Sequence, residues 1–226
     1  MTVMINTPSL ELDHLVVVAN SLEEGRAWIS EQLGVTIPLG GRHDFMATHN
    51  AVMSLGADIY LEVIAIDPAL PPPARQRWFG LDQPAVRSRL AQGPYLVHYL
   101  MRSSDIAATL GRLDSGLRAM IGAPMAASRD SLSWQITIAE DGRPAADGCL
   151  PGVIQWHSPL PQRRMHDAGL RLQQLVLHHP EPVMIGDKLH QLGAGAVLES
   201  GLISLEEAAQ PRLGAWLEKD GVIASL

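Results

Sequence analysis

One pattern that recurs along the chain constrains its fold more than any other feature. Residues 10–19 form a short, β-branched apolar stretch, which predicts a buried strand. Ser21 then provides a helix N-cap, and Gly34 ends the predicted helix. The same order returns further along, where the apolar stretch 95–101 precedes a predicted helix over 104–113. A repeated strand, capped helix and set of following strands predicts copies of one βαβββ unit.

The copies can be aligned residue by residue. Placing His14 over His98, 84 residues further on, brings the two apolar stretches into register. Ser21 then aligns with Asp105, and both residue types are favoured helix N-caps. Residues from Gln174 onward repeat the strand and helix a third time. Few letters are identical between the copies, so the shared order of elements carries the prediction of a repeat.

The remaining predicted elements complete these units. Strands are predicted at 45–55, 59–66, 134–139 and 152–156, and the C-terminal part adds a helix over 182–192 and strands at 196–199, 212–218 and 222–224. The chain then divides into a first module over 8–68, a linker over 69–93, a second module over 94–160, and a partial third module over 170–226 packed on the same domain. The predicted fold class is α+β, with paired βαβββ modules forming an open cup-shaped sheet.

Charge and composition exclude several classes of partner and location. The net charge is −7, from 24 acidic and 17 basic residues, and no run of Lys or Arg stands out. A nucleic-acid partner, which requires a clustered basic surface, is therefore not expected. No apolar run approaches the roughly 20 residues of a membrane span, and no secretory signal is expected. A single cysteine, Cys149, cannot form an internal disulfide, so we expect a cytoplasmic protein.

An ordered set of short motifs resembles a known family. The motifs are residues 12–18 (LDHLVVV), 40–43 (GGRH), 48–50 (THN), 60–64 (YLEVI), 67–68 (DP), 134 (W), 150–151 (LP) and 154–156 (IQW). Together they resemble the glyoxalase-like domain proteins of the vicinal oxygen chelate superfamily, which includes glyoxalases, bleomycin resistance proteins and extradiol dioxygenases. The resemblance covers residues 10 to about 156, and it implies two βαβββ modules whose strands line a shared cup.

The resemblance also implies a metal site. In the metal-dependent members, the first and fourth strands of each module supply the ligands of a divalent ion. The matching residues are His14 and Glu62 in the first module, and His98 and Gln155 in the second. The register of the last strand is open, because Val153 would occupy the ligand position if the strand were shifted.

The residue types agree with such chemistry. Glu62 lies in a strongly apolar strand, where a carboxylate must be paired, solvated in a cavity or bound to a metal. Imidazole and carboxylate are ligands of divalent ions, and an open coordination position could polarise a carbonyl oxygen of the substrate. We predict Glu62 and His49 as catalytic residues, with His49 shuttling a proton.

Other residues are candidates for binding the substrate. Arg42 and Arg129 could hold an anionic group, Asn50 could donate a hydrogen bond, and Trp78 could cover the cup or pack beneath the linker. His43 is predicted in a solvated turn. The pair at 178–179 is predicted to end a strand rather than to bind a metal.

Three functions remain open at this point. The first is a metal-assisted lyase or isomerase acting on a small oxygenated molecule. The second is a protein that binds a small molecule without metal or turnover, as resistance members of the superfamily do. The third is an iron-dependent ring-cleaving dioxygenase, for which His14, His98 and Glu62 could supply the ligands. The resemblance also implies a homodimer.

Overall fold

The computed structural model describes residues 9–226, so the predicted first boundary at residue 8 lies outside the described residues. The first half of the chain forms β1 (Glu11–Val18), α1 (Leu22–Leu33), β2 (Leu39–His43), β3 (Thr48–Ser54) and β4 (Tyr60–Ile66). The second half forms β5 (Tyr95–Arg102), α3 (Ile106–Gly111), α4 (Ser115–Ile121), β6 (Ala123–Arg129), β7 (Leu132–Ile138) and β8 (Gly152–Trp156), after a short helix α2 (Pro84–Leu90) in the linker.

These two halves form one eight-stranded sheet with internal symmetry. Its order is β2-β3-β4-β1-β5-β8-β7-β6, so each half contributes four adjacent strands in the same relative order. β1 and β5 pair antiparallel at the centre, and each also pairs in parallel with the last strand of its own half. The prediction of paired βαβββ modules is confirmed.

Helix α1 begins and ends where the sequence predicted. The Ser21 side chain accepts a hydrogen bond from the Glu24 backbone N–H, and Gly34 ends the helix in the left-handed conformation at φ 64°. Both devices satisfy backbone groups that a helix end leaves unpaired. The two glycines of the 40–43 motif lie within strand β2.

The sheet separates two apolar layers. Leu15 and Val17 of β1 face the helices and belong to the larger cluster of buried residues. Val16 and Val18 face the opposite side and belong to a second cluster, which includes aromatic residues of the linker. The alternation follows from the two-residue period of a strand, and it shows that β1 is buried on both faces.

The C-terminal part packs on the helix side. It forms β9 (Arg171–His179), α5 (Pro182–Leu192), α6 (Gly195–Glu199), β10 (Ile203–Glu207), β11 (Arg212–Lys219) and β12 (Val222–Ser225). Its sheet order, β10-β9-β11-β12, places the first strand in the interior, unlike either module. The strand predicted at 196–199 is wrong, because these residues form α6. A short apolar run fits a helix as well as a strand, and the true strand β10 follows it.

The core is continuous across all three units. Apolar side chains of β9 and β11 belong to the same cluster as Leu15 and Val17, together with side chains from α1 and α5. The C-terminal unit therefore buries the outer face of the large sheet and leaves its concave face free. Among the described residues, no helix is long and apolar enough to cross a membrane.

Candidate active site

A cavity lies on the concave face of the eight-stranded sheet. Its volume is about 40 Å³, so it is a narrow cavity in which the lining side chains lie close together. Its polar wall consists of His14, His43, Asn50, Glu62 and Arg129. Its apolar wall includes Trp78, Phe79, Trp134 and Trp156.

His14 enters the cavity from β1 next to an irregularity in the strand. The pairing of β1 with β5 shifts between Leu12 and His14 and leaves Asp13 out of register. Adjacent strand residues normally face opposite sides, but here the Asp13 carboxylate lies 2.7 Å from His14 Nδ1. Tyr60 stacks on the His14 ring at 4.3 Å between centroids. The ring is therefore held by a hydrogen bond at Nδ1 and by a stacked face, while Nε2 is directed toward Glu62.

Glu62 faces His14 from the neighbouring strand β4. Its Oε1 accepts a hydrogen bond of 2.6 Å from Asn50 Nδ2, and its Oε2 lies 3.7 Å from His14 Nε2. The residue is 5% exposed. A buried carboxylate needs such partners, because an unpaired one would cost several kcal/mol. The structure thus brings together His14 and Glu62, the two residues predicted from the first module.

Burial and two nearby carboxylates change the pKa of Tyr60. Burial raises the pKa of the Tyr60 phenol well above its usual value, and the nearby Asp13 and Glu62 carboxylates raise it further. The phenol is therefore neutral at physiological pH and can serve as a hydrogen-bond donor in the cavity.

Arg129 reaches the first module from β6 of the second. Its Nη1 donates to His43 Nε2 at 3.1 Å and to Asn50 Oδ1 at 3.3 Å. Both contacts are with neutral groups, so they leave the guanidinium charge available to an anion in the cavity. Arg129 was predicted to bind substrate, and it lies where it could do so.

Two glycines of β2 make room for these side chains. A Cβ atom on Gly40 would lie 2.2 Å from Asn50 Oδ1, and one on Gly41 would lie 2.8 Å from Arg129 Cδ. The Gly41 backbone N–H also donates to Asn50 Oδ1 at 2.8 Å. Any larger residue at position 40 or 41 would displace a member of the polar wall.

His43 is a cavity residue that the sequence analysis missed. It is buried rather than solvated, and burial, Arg129, His14 and His49 lower its pKa to about 3. Since Nε2 accepts from Arg129, the ring proton resides on Nδ1, which lies 3.2 Å from Thr48 Oγ1. The available signal was the motif at 40–43, in which two glycines and Arg42 precede His43 on an edge strand.

Half of the aromatic wall comes from the linker. Trp78 and Phe79 stack at 5.5 Å between centroids, and Trp78 also meets the His43 ring edge-on at 4.9 Å. Both aromatic residues are buried and pack against the concave face. Of the two alternatives for Trp78, the structure therefore favours a packed wall of the cavity over a mobile cover.

Neither predicted ligand of the second module joins His14 and Glu62. His98 Nε2 accepts the Gly152 N–H at 3.0 Å, and burial lowers the pKa of His98 to about 3. Gln155 Oε1 accepts the Ile106 N–H at 2.8 Å, so this side chain faces helix α3. These two assignments are corrected, because each side chain is engaged away from the cavity.

The alternative register of β8 supplies no ligand either. Val153 is buried in the cluster on the helix side. Ile154 and Trp156 line the cavity, and neither residue is a metal ligand. The positions that would complete a metal site from the second module are therefore apolar.

Two further predicted residues lie outside the cavity. His49 alternates with Asn50 on β3 and faces the other side of the sheet, where its Nδ1 is 4.0 Å from Asp67 Oδ2. Arg42 is half exposed and donates to the same carboxylate at 2.8 Å. The catalytic assignment of His49 and the substrate assignment of Arg42 are corrected on this geometry.

The donor set does not fit the predicted divalent ion. His14 Nε2 and Glu62 Oε2 are two donors, whereas protein sites for such ions use three or more. Within residues 9–226, no group of three or more His, Cys, Asp or Glu side chains is arranged to hold a metal.

Two βαβββ halves that share one curled sheet, with a polar cavity on its concave face, define a protein of the vicinal oxygen chelate superfamily. A family model described as a glyoxalase-like domain matches residues 12–193. The chain belongs to this family of glyoxalase-like domain proteins.

Solved structures that are similar to the chain have little sequence in common with it. A hypothetical protein from Staphylococcus aureus is similar over 95% of this chain and 97% of its own, with 11% identity and a TM-score of 0.61. Methylmalonyl-CoA epimerase from Mycobacterium tuberculosis covers 68% of this chain and 91% of its own, with 16% identity and a TM-score of 0.41. No curated protein sequence matches the chain.

Proposed function

We propose that this protein is an enzyme, an isomerase or lyase, that moves a proton on a small anionic molecule. The observation that carries the proposal is the approach of His14 Nε2 and Glu62 Oε2 to 3.7 Å at the wall of a cavity. Two adjacent groups that can each accept and return a proton are the usual components of general acid–base catalysis.

Each side chain of the polar wall supports a separate task. Asn50 occupies one oxygen of Glu62, so the other oxygen is available to take a proton from a carbon next to a carbonyl group. The Nδ1 hydrogen bond to Asp13 leaves the lone pair of a neutral His14 on Nε2, where it can accept or return that proton. Arg129 would balance the charge of a carboxylate or a developing enolate.

The aromatic wall supports a role in holding the rest of the molecule. Trp134 and Trp156 pack at 5.4 Å between centroids, and the stacked pair Trp78 and Phe79 lines the same cavity. Such a wall binds a planar or apolar body and excludes water, which strengthens the electrostatic contacts inside.

Metal assistance, expected from the resemblance, is not part of this proposal, because the second module supplies no further donor in the cavity. The dioxygenase hypothesis loses its support for the same reason, since His98 is engaged with Gly152. Binding without turnover remains the second candidate, and the aromatic wall is the observation that favours it.

Proton exchange into a panel of small carboxylates that carry an acidic C–H next to a carbonyl tests the proposal. In D2O, wild-type protein should exchange at least one of them, as followed by proton NMR. E62Q should reduce the rate at least 100-fold, because the amide cannot accept the proton. The matched control is E199Q, which changes an exposed glutamate and should exchange at the wild-type rate.

The outcomes separate the candidates. Saturable quenching of tryptophan fluorescence without exchange of any panel member would favour the binding function. Exchange that E62Q leaves unchanged would contradict the role of Glu62. Exchange that a chelator abolishes and one divalent ion restores would contradict the metal-free mechanism.

We also propose, from the sequence alone, a cytoplasmic location and a homodimer. Cell fractionation and light scattering of the purified protein test these two attributes.

A further inference from the structure

We propose that Asp13 is a positioning residue that fixes the tautomer of His14. In this tautomer the ring proton is on Nδ1 and the lone pair on Nε2 faces Glu62 and the cavity. The inference rests on the proposed function for its catalytic consequence, but the tautomer itself can be observed without a substrate.

The Asp13 carboxylate is fully buried and its two oxygens have different partners. Oδ1 lies 2.7 Å from His14 Nδ1. Oδ2 lies 3.2 Å from Arg102 Nη1, 3.1 Å from Trp156 Nε1 and 3.3 Å from Gln162 Nε2. Oδ1 therefore contacts His14, whereas Oδ2 contacts three hydrogen-bond donors from outside the first module.

These three donors fix the role of Oδ2. Guanidinium, indole and amide N–H groups can only donate, so Oδ2 must accept from all of them. A carboxylate held in this way presents Oδ1 to His14 as an acceptor, and His14 Nδ1 must then carry the proton. In this arrangement both Asp13 oxygens accept hydrogen bonds, and the shared partners hold the cluster in one geometry.

The negative charge of the Asp13 carboxylate is compensated by Arg102, which other contacts hold in place. Arg102 also forms an ion pair with Glu11 and donates to the Asp58 carbonyl oxygen at 3.1 Å. The Gln162 amide donates to that same carbonyl at 2.7 Å. The cluster is thus tied to the β3–β4 connection, so its geometry does not depend on a ligand in the cavity.

The substitution D13N tests the tautomer directly because it preserves the shape of the side chain. The amide oxygen of the substituted residue can still accept from Arg102, Trp156 and Gln162. Its NH2 group then faces His14 Nδ1, which must accept, and the ring proton moves to Nε2. Nitrogen-15 NMR of the imidazole, assigned with an H14Q variant, should show the Nδ1–H tautomer in wild type and the Nε2–H tautomer in D13N.

The catalytic consequence follows from the moved proton. D13N should lower kcat for proton exchange at least about 100-fold with little change in KM, because Nε2 no longer carries a lone pair. The matched control is E11Q, which removes the exposed partner of Arg102 and should leave both the tautomer and kcat unchanged.

Failures of the two proposals can be distinguished. A wild-type His14 that is protonated on Nε2 at neutral pH, or a D13N protein that keeps the proton on Nδ1, would overturn the positioning role. If D13N does not fold, the wild-type spectrum alone still decides. An inverted tautomer in D13N, with no turnover by wild type of any compound, would support positioning while removing the proposed reaction.

Discussion

Gly40 provides a sharp test of how the polar wall is packed. Its φ lies outside the left-handed region, so G40A introduces no backbone strain. The new Cβ would lie 2.2 Å from Asn50 Oδ1, an atom that accepts hydrogen bonds from Gly41 and Arg129. The amide must therefore move, although it also holds Glu62 at 2.6 Å.

The magnitude follows from the bonds that this movement breaks. A hydrogen bond to a charged group contributes about 1.5–3 kcal/mol, and overpacking costs about 1–3 kcal/mol. Replacing a strand glycine with alanine returns about 0.5–1 kcal/mol through chain entropy. G40A should therefore lower the free energy of unfolding by about 2–4 kcal/mol.

Urea unfolding of a double-mutant cycle is the measurement. In an N50A background the clashing amide is gone, and the nearest remaining contact is the Asn50 backbone oxygen at 3.2 Å. There G40A should cost less than about 1 kcal/mol, so the coupling energy should exceed about 1 kcal/mol. An equal cost of G40A in both backgrounds, with unchanged m-values, would show that the Asn50 side chain is not what Gly40 accommodates.

Three further predictions concern pH, capping and ligand binding. His43 and His98 have folded-state pKa values of about 3 against 6.5 unfolded, so the unfolded chain binds more protons and stability should fall as pH drops from about 6.5 toward 3. Urea unfolding at several pH values checks this, and H98Q should show a shallower slope. S21A should lower the free energy of unfolding by about 1 kcal/mol, measured in the same assay, by removing the cap of α1. R129K should weaken anion binding at least about 10-fold in a fluorescence titration, because lysine lacks the planar guanidinium group that can bind a carboxylate through two hydrogen bonds.

The first half of the site could be predicted because its signals are local. The strand that carries His14, the cap at Ser21 and the apolar strand around Glu62 are each defined by a few consecutive residues. Period-two alternation then places His14 and Glu62 on the same side of adjacent strands. The paired modules and the family followed from the order of these local patterns.

The second half could not be predicted to the same degree. Side chains alternate with a period of two along a strand, so a one-residue uncertainty in β8 decides whether Gln155 or Trp156 faces the cavity. The bulge that turns Asp13 toward His14 has no signature in the sequence. The hydrogen bond between Arg129 and His43 joins residues 86 positions apart, and only the curvature of the sheet brings its edge strands β2 and β6 close enough to form it.

Division of the cavity between the halves has a consequence for divergence within this fold. The groups proposed to move the proton all come from the first half, whereas the cation and two of the tryptophans come from β6, β7 and β8. The glycine at position 41 leaves space that Arg129 of β6 fills, and a differently sized side chain from β6 could fill the same space. Substitutions in the second half would therefore change which molecule is recognised while the proposed reactive pair stays intact, so relatives that share the pair need not share a substrate.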